Sequence, residues 1–195
     1  MTFVVGDERI TAQRAIVGAR SEHFRSLFDQ DFADSKTAEV RIPDTPPDAF
    51  RAYLRYLYTD EIAMSDEAWV DVARLAHCYM DKRLYSLCKA HCEEHLSNDN
   101  ALSWLLQAVD ANLDDLATFI KSFVTLHFGE IREEKPRGWD ALKQYPNLMF
   151  EMLSDFSLVK AGSGAPPNYV HLPLPAPVTS QDPLAVPSAP PSLPP

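Results

Sequence analysis

Cys88, His91, Cys92 and His95 come nearest in this chain to residue types and spacing that could do chemistry. At offsets of three, four and seven they share one face of a helix, and thiolate and imidazole are ligands that zinc accepts. Four donors on one short straight helix all point the same way, however, and do not easily surround a tetrahedral ion. Cys88 and Cys92 also fall in a stripe with Leu84 and Leu87, so the sequence predicts core cysteines with partly exposed histidines and no bound metal. Other chemical signals are lacking. There is no Gly-x-Ser-x-Gly elbow, and the six glycines are too scattered to form a phosphate-cradling loop. Asp114-Asp115 and Glu133-Glu134 read as carboxylates at helix starts or exposed ends. No catalytic residues and no cofactor are expected.

Binding is the alternative to chemistry, and Phe32 is the residue that suggests it. It stands alone among carboxylates in DQDFADS, residues 29–35, where no helical or strand period calls it into a core. The bulk numbers narrow the partner. A net charge of -10 argues against nucleic acid, because affinity for a phosphate backbone comes mostly from Lys and Arg. The first residues, MTFVVGDERI, lack the pattern of a secretory signal, and no run approaches the roughly 18 apolar residues of a membrane span. Three cysteines do not make a disulfide framework. The expected setting is intracellular, nucleus or cytoplasm, with no membrane partner.

The elements that must position these residues are readable from periodicity. Phe3-Val4-Val5 and Arg9-Ile10-Thr11 flank Gly6-Asp7 as a hairpin, and Glu39-Val40-Arg41-Ile42 alternates as a third strand. Residues 12–20 place Ala12, Ala15, Ile16 and Ala19 on one side of a helix. Ser21 ends that helix and caps the next, which carries Phe24, Leu27 and Phe28. The firmest stretch is 45–60, TPPDAFRAYLRYLYTD, with Thr45 as cap and Asp48 completing a capping box. There Phe50, Tyr53, Leu54, Leu57 and Tyr58 form a stripe to be buried, with Arg51, Ala52 and Arg55 opposite. Glu61 to Met64 reads as a short strand.

Further helices follow along the chain. Ser65 or Asp66 caps one with Trp69, Val72, Ala73 and Ala76, and the next carries Leu84, Leu87, Cys88, Cys92 and Leu96. Asn98 or Asp99 caps a third with Leu102 and Leu105. Asp114 or Asp115 caps a fourth that ends at Gly129 as a left-handed residue. Residues 139–143 and 146–156 make two short last helices. The fold class is α+β, a small sheet of short strands capped by helices. Eleven of the sixteen prolines lie from Pro166 to Pro195, which predicts an extended, disordered tail over 161–195 with local polyproline II character. Its L-P-L-P-A-P run, residues 172–177, has only a loose PxxP spacing and no flanking Arg or Lys.

Taken in order, AQRAIVGARSEHFRSLF, DFADS, VRIPDTPPDAFRAYLRYLYTD and VARLAHCYMDKRLYSLCKAHCEEHL resemble a BTB/POZ domain. The matching positions are Ala12, Ser21, Phe24, Phe50, Leu54, Tyr56, Leu57, Tyr58, Thr59, Ala76, Tyr79, Leu84, Cys92 and Glu93. Asn100-Ala101, Leu105-Leu106, Ala108, Ala111, Gly138-Trp139 and Tyr145-Pro146-Asn147-Leu148 are similar to the truncated BACK-like region of the speckle-type POZ protein group. The resemblance implies a BTB/POZ domain over 1–96, a BACK-like helical extension over 97–160 and the tail beyond. It departs from the family in four places. Gln13 replaces a His, Asp60 replaces a Gly, the chain between Cys92-Glu93 and Asn100-Ala101 is about four residues shorter, close to one helical turn, and the strand start and exchanged N-terminal helix of dimeric members are missing before Met1.

For function the resemblance implies a substrate adaptor of a cullin type-three RING ubiquitin ligase. Phe32-Ala33-Asp34 stands where the family has its hydrophobic-x-Glu cullin contact, and Tyr58 and Tyr79 would frame that face. Ala12, Ala15, Ile16 and Ala19 would lie at the centre of a symmetric homodimer, weakened here by the missing N-terminal segment. The substrate protein is unknown, and no MATH, Kelch or ankyrin module is present to hold it. The alternative is a self-associating scaffold, or a transcription- or cytoskeleton-linked interaction protein, without cullin binding.

Overall fold

A computed structural model describes residues 1–30, 39–62, 64–65, 68–135 and 138–160. β1 (Thr2–Val5) turns through Gly6 and Asp7 into β2 (Glu8–Thr11), pairing Val5 with Glu8. Of the two turn residues only Gly6 has a positive φ, at 57°, the pattern of a type II′ turn, in which glycine takes the first central position without a Cβ clash. α1 (Arg14–Arg20) and α2 (Glu22–Gln30) follow as the expected helical hairpin. β3 (Glu39–Ile42) then pairs parallel to β1, giving the sheet order β2-β1-β3. A parallel pair needs a long crossover, and the two helices lie within it.

The central strand sends Phe3 and Val5 inward, both fully buried. They meet α3 (Pro47–Thr59), whose Phe50, Tyr53, Leu54 and Leu57 are buried as their spacing predicts. The stripe is wider than expected at one edge and narrower at the other. Ala52 and Tyr56 are buried, because α3 packs against both α1 and α4 (Trp69–Cys78), while Tyr58 in the last turn remains 44% exposed. Thr45 does not cap α3. Its hydroxyl donates to the Pro43 carbonyl at 2.9 Å and accepts from Arg74 at 3.2 Å, so the helix starts two residues later with Pro47 in its first turn.

α5 (Lys82–Glu94) lies on α4 and is capped by Asp81, whose carboxylate accepts from the Leu84 N–H at 3.0 Å. Leu84, Cys88, Cys92 and Leu96 are buried, but Leu87 is exposed, one position off the buried face. α6 (Ala101–Asp110) packs on α4, and α7 (Asp114–Leu126) packs on α5 and α6. The other expected caps also shift. Ala68, Asn100 and Leu113 stand at the helix starts, none making a side-chain capping bond, with Asp114 and Asp115 already inside the first turn. Among the described residues of 61–64 there is no strand.

Gly129 is not a helix stop. It lies inside α8 (Phe128–Glu134), an unexpected helix that shares His127 as a boundary with α7. The left-handed residues described are Gly6, Asp44, Asp60, Met80 and Asn112. α9 (Trp139–Leu142) and α10 (Pro146–Lys160) finish the described chain. One cluster of buried side chains runs from Phe3 in β1 to Met152 in α10. No described helix is long and apolar enough to cross a membrane. The architecture is α+β, three short strands among many helices.

Candidate interaction face

The helical hairpin of α1 and α2 forms one outer face of the sheet-bearing half. Val17 is the one buried residue of α1, while Ala15 and Ala19 are exposed and Ile16 is half-buried. Ala12 precedes the helix rather than belonging to it, and its N–H donates to the Met1 carbonyl at 3.0 Å beside the sheet. Close approach of α2 is possible because Gly18 has no side chain: a Cβ there would stand 3.2 Å from the Phe28 ring. Arg14 donates to the Phe28 carbonyl at 2.6 Å, with its guanidinium 4.9 Å from that ring centre. Arg25 donates to the Gly18 and Ala19 carbonyls at 2.9 and 3.0 Å, satisfying backbone acceptors at the end of α1. Arg14, Ala15, Gly18, Ala19, Arg25 and Phe28 line a shallow open hollow.

Tyr58 joins this face. Its hydroxyl accepts the Gln13 N–H at 2.7 Å, tying the end of α3 to the start of α1 and placing the phenol beside Ala12. Tyr79 does not join it. Its ring lies 4.7 Å from His23, 4.8 Å from Phe24 and 5.3 Å from Tyr53, half-buried, and burial pushes its phenol up to about 12. The same packing lowers the His23 pKa by desolvation. Tyr58 and Tyr79 therefore stand in different settings, one against α1 and the other against α2. Phe32 and Asp34 lie outside the described residues.

The sequence reading missed a charged cluster at the end of α3. Asp60 takes a left-handed conformation with φ 58°, which short polar side chains tolerate, and its carboxylate pairs with Arg20 of α1 and with Arg83 of α5 at 3.3 Å. An aspartate just after a long apolar stripe was the available signal. Its two cations come from distant segments and could not be read locally.

The Cys88 to His95 face is used in packing. Cys88 and Cys92 are fully buried, and burial pushes each thiol up to about 12. The His91 ring stacks between Trp69 at 3.6 Å and His95 at 3.9 Å. No group of three or more His, Cys, Asp or Glu suited to hold a metal is found among the described residues. Burial thus holds both thiols protonated at mildly alkaline pH, so reagent access and ionisation both protect these two. An aromatic disulfide reagent should titrate Cys78, which is exposed, rapidly in the native protein, and all three thiols only after unfolding. Three fast thiols would contradict the buried placement.

What the face offers is a surface: small side chains held on a short helix, arginines tied to backbone carbonyls, and Tyr58 fixed at its edge. That is the equipment of a protein-protein interaction module on an α+β frame. Residues 1–96 match the BTB/POZ domain family, and this part of the chain is a BTB/POZ domain. The BTB domain of zebrafish PATZ1 is 25% identical over 46% of this chain and 70% of its own, with a TM-score of 0.40. The BTB (Tramtrack and Bric a brac) domain of human Gigaxonin is 22% identical over 45% of this chain and 71% of its own, with a TM-score of 0.39.

Proposed function

We propose that the chain is a substrate adaptor of a cullin type-three RING ubiquitin ligase, with binding rather than catalysis as its work. One observation carries the reading. The segment matched as a BTB/POZ domain has Phe32-Ala33-Asp34 directly after the α1–α2 hairpin, where BTB adaptors have their cullin-contact motif. In this reading Phe32 is the apolar anchor, Asp34 supplies the carboxylate, and Tyr58 and Tyr79 bound the surface. Residues 97–160, built of α6 to α10, serve as a BACK-like extension, and an unknown substrate protein is held elsewhere. Affinity capture tests it: a cullin co-purifies with the wild type, and its absence from the capture counts against the adaptor.

A second reading is favoured by the exposure of Ala15 and Ala19. Small exposed residues on a short helix let an identical helix approach closely across a two-fold axis, with Ala12 and Ile16 beside the contact. The scaffold so formed would be a homodimer with or without a cullin. Sedimentation at tens of micromolar should show a dimer for the wild type, and a shift to monomer for Ala19→Glu, which places like charges opposite one another. The fold should survive because Ala19 faces solvent. A monomer at every concentration would exclude α1 as a dimer face.

A further inference from the structure

We propose that the groove between α7, α8, α9 and α10 is a docking site for the chain's own segment Tyr169–Pro175, YVHLPLP. The groove has a volume of about 270 Å³, and its wall is mostly apolar, carrying Phe128, Trp139, Met149, Met152, Leu153 and Phe156, with Arg132, Asp140 and Lys143 also among its lining. It lies outside the BTB/POZ segment and uses none of the residues of the hairpin face. Met149 and Leu153 on its α10 side are 38% and 56% exposed, and Phe150 beside them is 73% exposed. Adjoining large apolar side chains left to solvent on one helix mark a surface built to be covered.

The occupant follows from chain connectivity and chemistry. α10 ends at Lys160, and its 15 residues span about 22 Å at 1.5 Å per residue. The eight residues 161–168 between it and Tyr169 reach about 26 Å when extended, enough to bring Tyr169 to any point along that helix. Gly162 and Gly164 in this spacer permit a reversal of direction. YVHLPLP supplies an aromatic ring, Val170 and two leucines with no acid or strong base, matching the apolar side chains that make up most of the wall. Tethering makes the encounter intramolecular, so modest contact suffices. A later apolar run such as Leu184-Ala185-Val186 would have to close a longer loop.

Trp139, one of the residues lining the groove, carries a polar group without a partner: its indole N–H is buried with no acceptor among the described residues. A Leu-Pro-Leu-Pro strand in polyproline II form has carbonyls free of internal hydrogen bonds, and aromatic-lined grooves are the usual receptors for such strands. One carbonyl would satisfy the indole once the ring turns toward it.

The test uses the full chain with Tyr169→p-benzoylphenylalanine, irradiated as a mixture of isotopically light and heavy protein and mapped by mass spectrometry. The expected adducts are within one chain, at Met149, Met152 or Leu153. Adding Leu153→Glu, a change at an exposed position, should reduce them at least fivefold while leaving the helical circular dichroism unchanged. Adducts joining light to heavy chains would make a second copy the occupant and overturn the proposal. So would adducts to a co-purified protein, adducts spread over unrelated surfaces, or none.

Discussion

Phe24→Ala should lower the unfolding free energy by about 3–5 kcal/mol, the usual range for removing a buried phenylalanine side chain. Phe24 is fully buried on α2, with ring centres of Phe3, Phe28, Tyr53 and Tyr79 between 4.8 and 6.4 Å away. Its ring is thus the point where β1, α2, α3 and the end of α4 meet. Deletion leaves a cavity that four elements would have to close together, and rigid rings collapse poorly. Small domains are stable by only about 5–15 kcal/mol, so the variant should sit near the edge of folding. Leu87→Ala, at the exposed side of α5, should change stability by less than about 0.5 kcal/mol. A chemical denaturation series checks both; equal midpoints for Phe24→Ala and wild type would refute the ring cluster.

Most of that ring cluster was legible in the sequence for a physical reason. Phe24 and Phe28 repeat at four on α2, and Phe50, Tyr53, Leu54 and Leu57 repeat on α3, so local period turned these inward, whereas Phe3 stands in the unbroken apolar run Phe3-Val4-Val5, whose inward side period does not choose. Helix starts were not legible. Thr45 has the right chemistry for a cap, but its hydroxyl is engaged by Pro43 and Arg74, and Arg74 arrives from a helix 29 residues away. Gly129 was misjudged similarly, because the chain after α7 continues at once into α8 through His127.

The candidate site divides along the same line. The α1 residues could be named because small side chains recur at helical spacing, and Ala15 and Ala19 do face outward. Tyr58 fell in the stripe of α3, yet its place in the last turn sets it at the surface, bonded to Gln13. Tyr79 carried a family position, but nothing local showed that three aromatic neighbours would enclose it. The apolar groove on α10 was hidden for a different reason. Reading residues 146–156 as a helix did not reveal that Met149, Phe150 and Leu153 remain uncovered.

The second large effect concerns Phe32. An aromatic anchor in a partner pocket commonly carries more than about 2 kcal/mol of binding, which is over tenfold in Kd. Phe32→Ala should therefore weaken cullin binding more than tenfold with nearly the wild-type melting temperature. Asp34→Glu should bind equally well or better, because it restores the longer carboxylate of the family motif. Asp34→Lys should bind worse through reversal of charge.

Calorimetric titration of a purified cullin into the wild-type chain and Phe32→Ala, with melting curves of both, tests the adaptor reading most directly. The account predicts measurable wild-type affinity, a loss of more than tenfold in the variant and superimposable melting curves. No measurable wild-type affinity, or a variant that loses binding only because it unfolds, would contradict it.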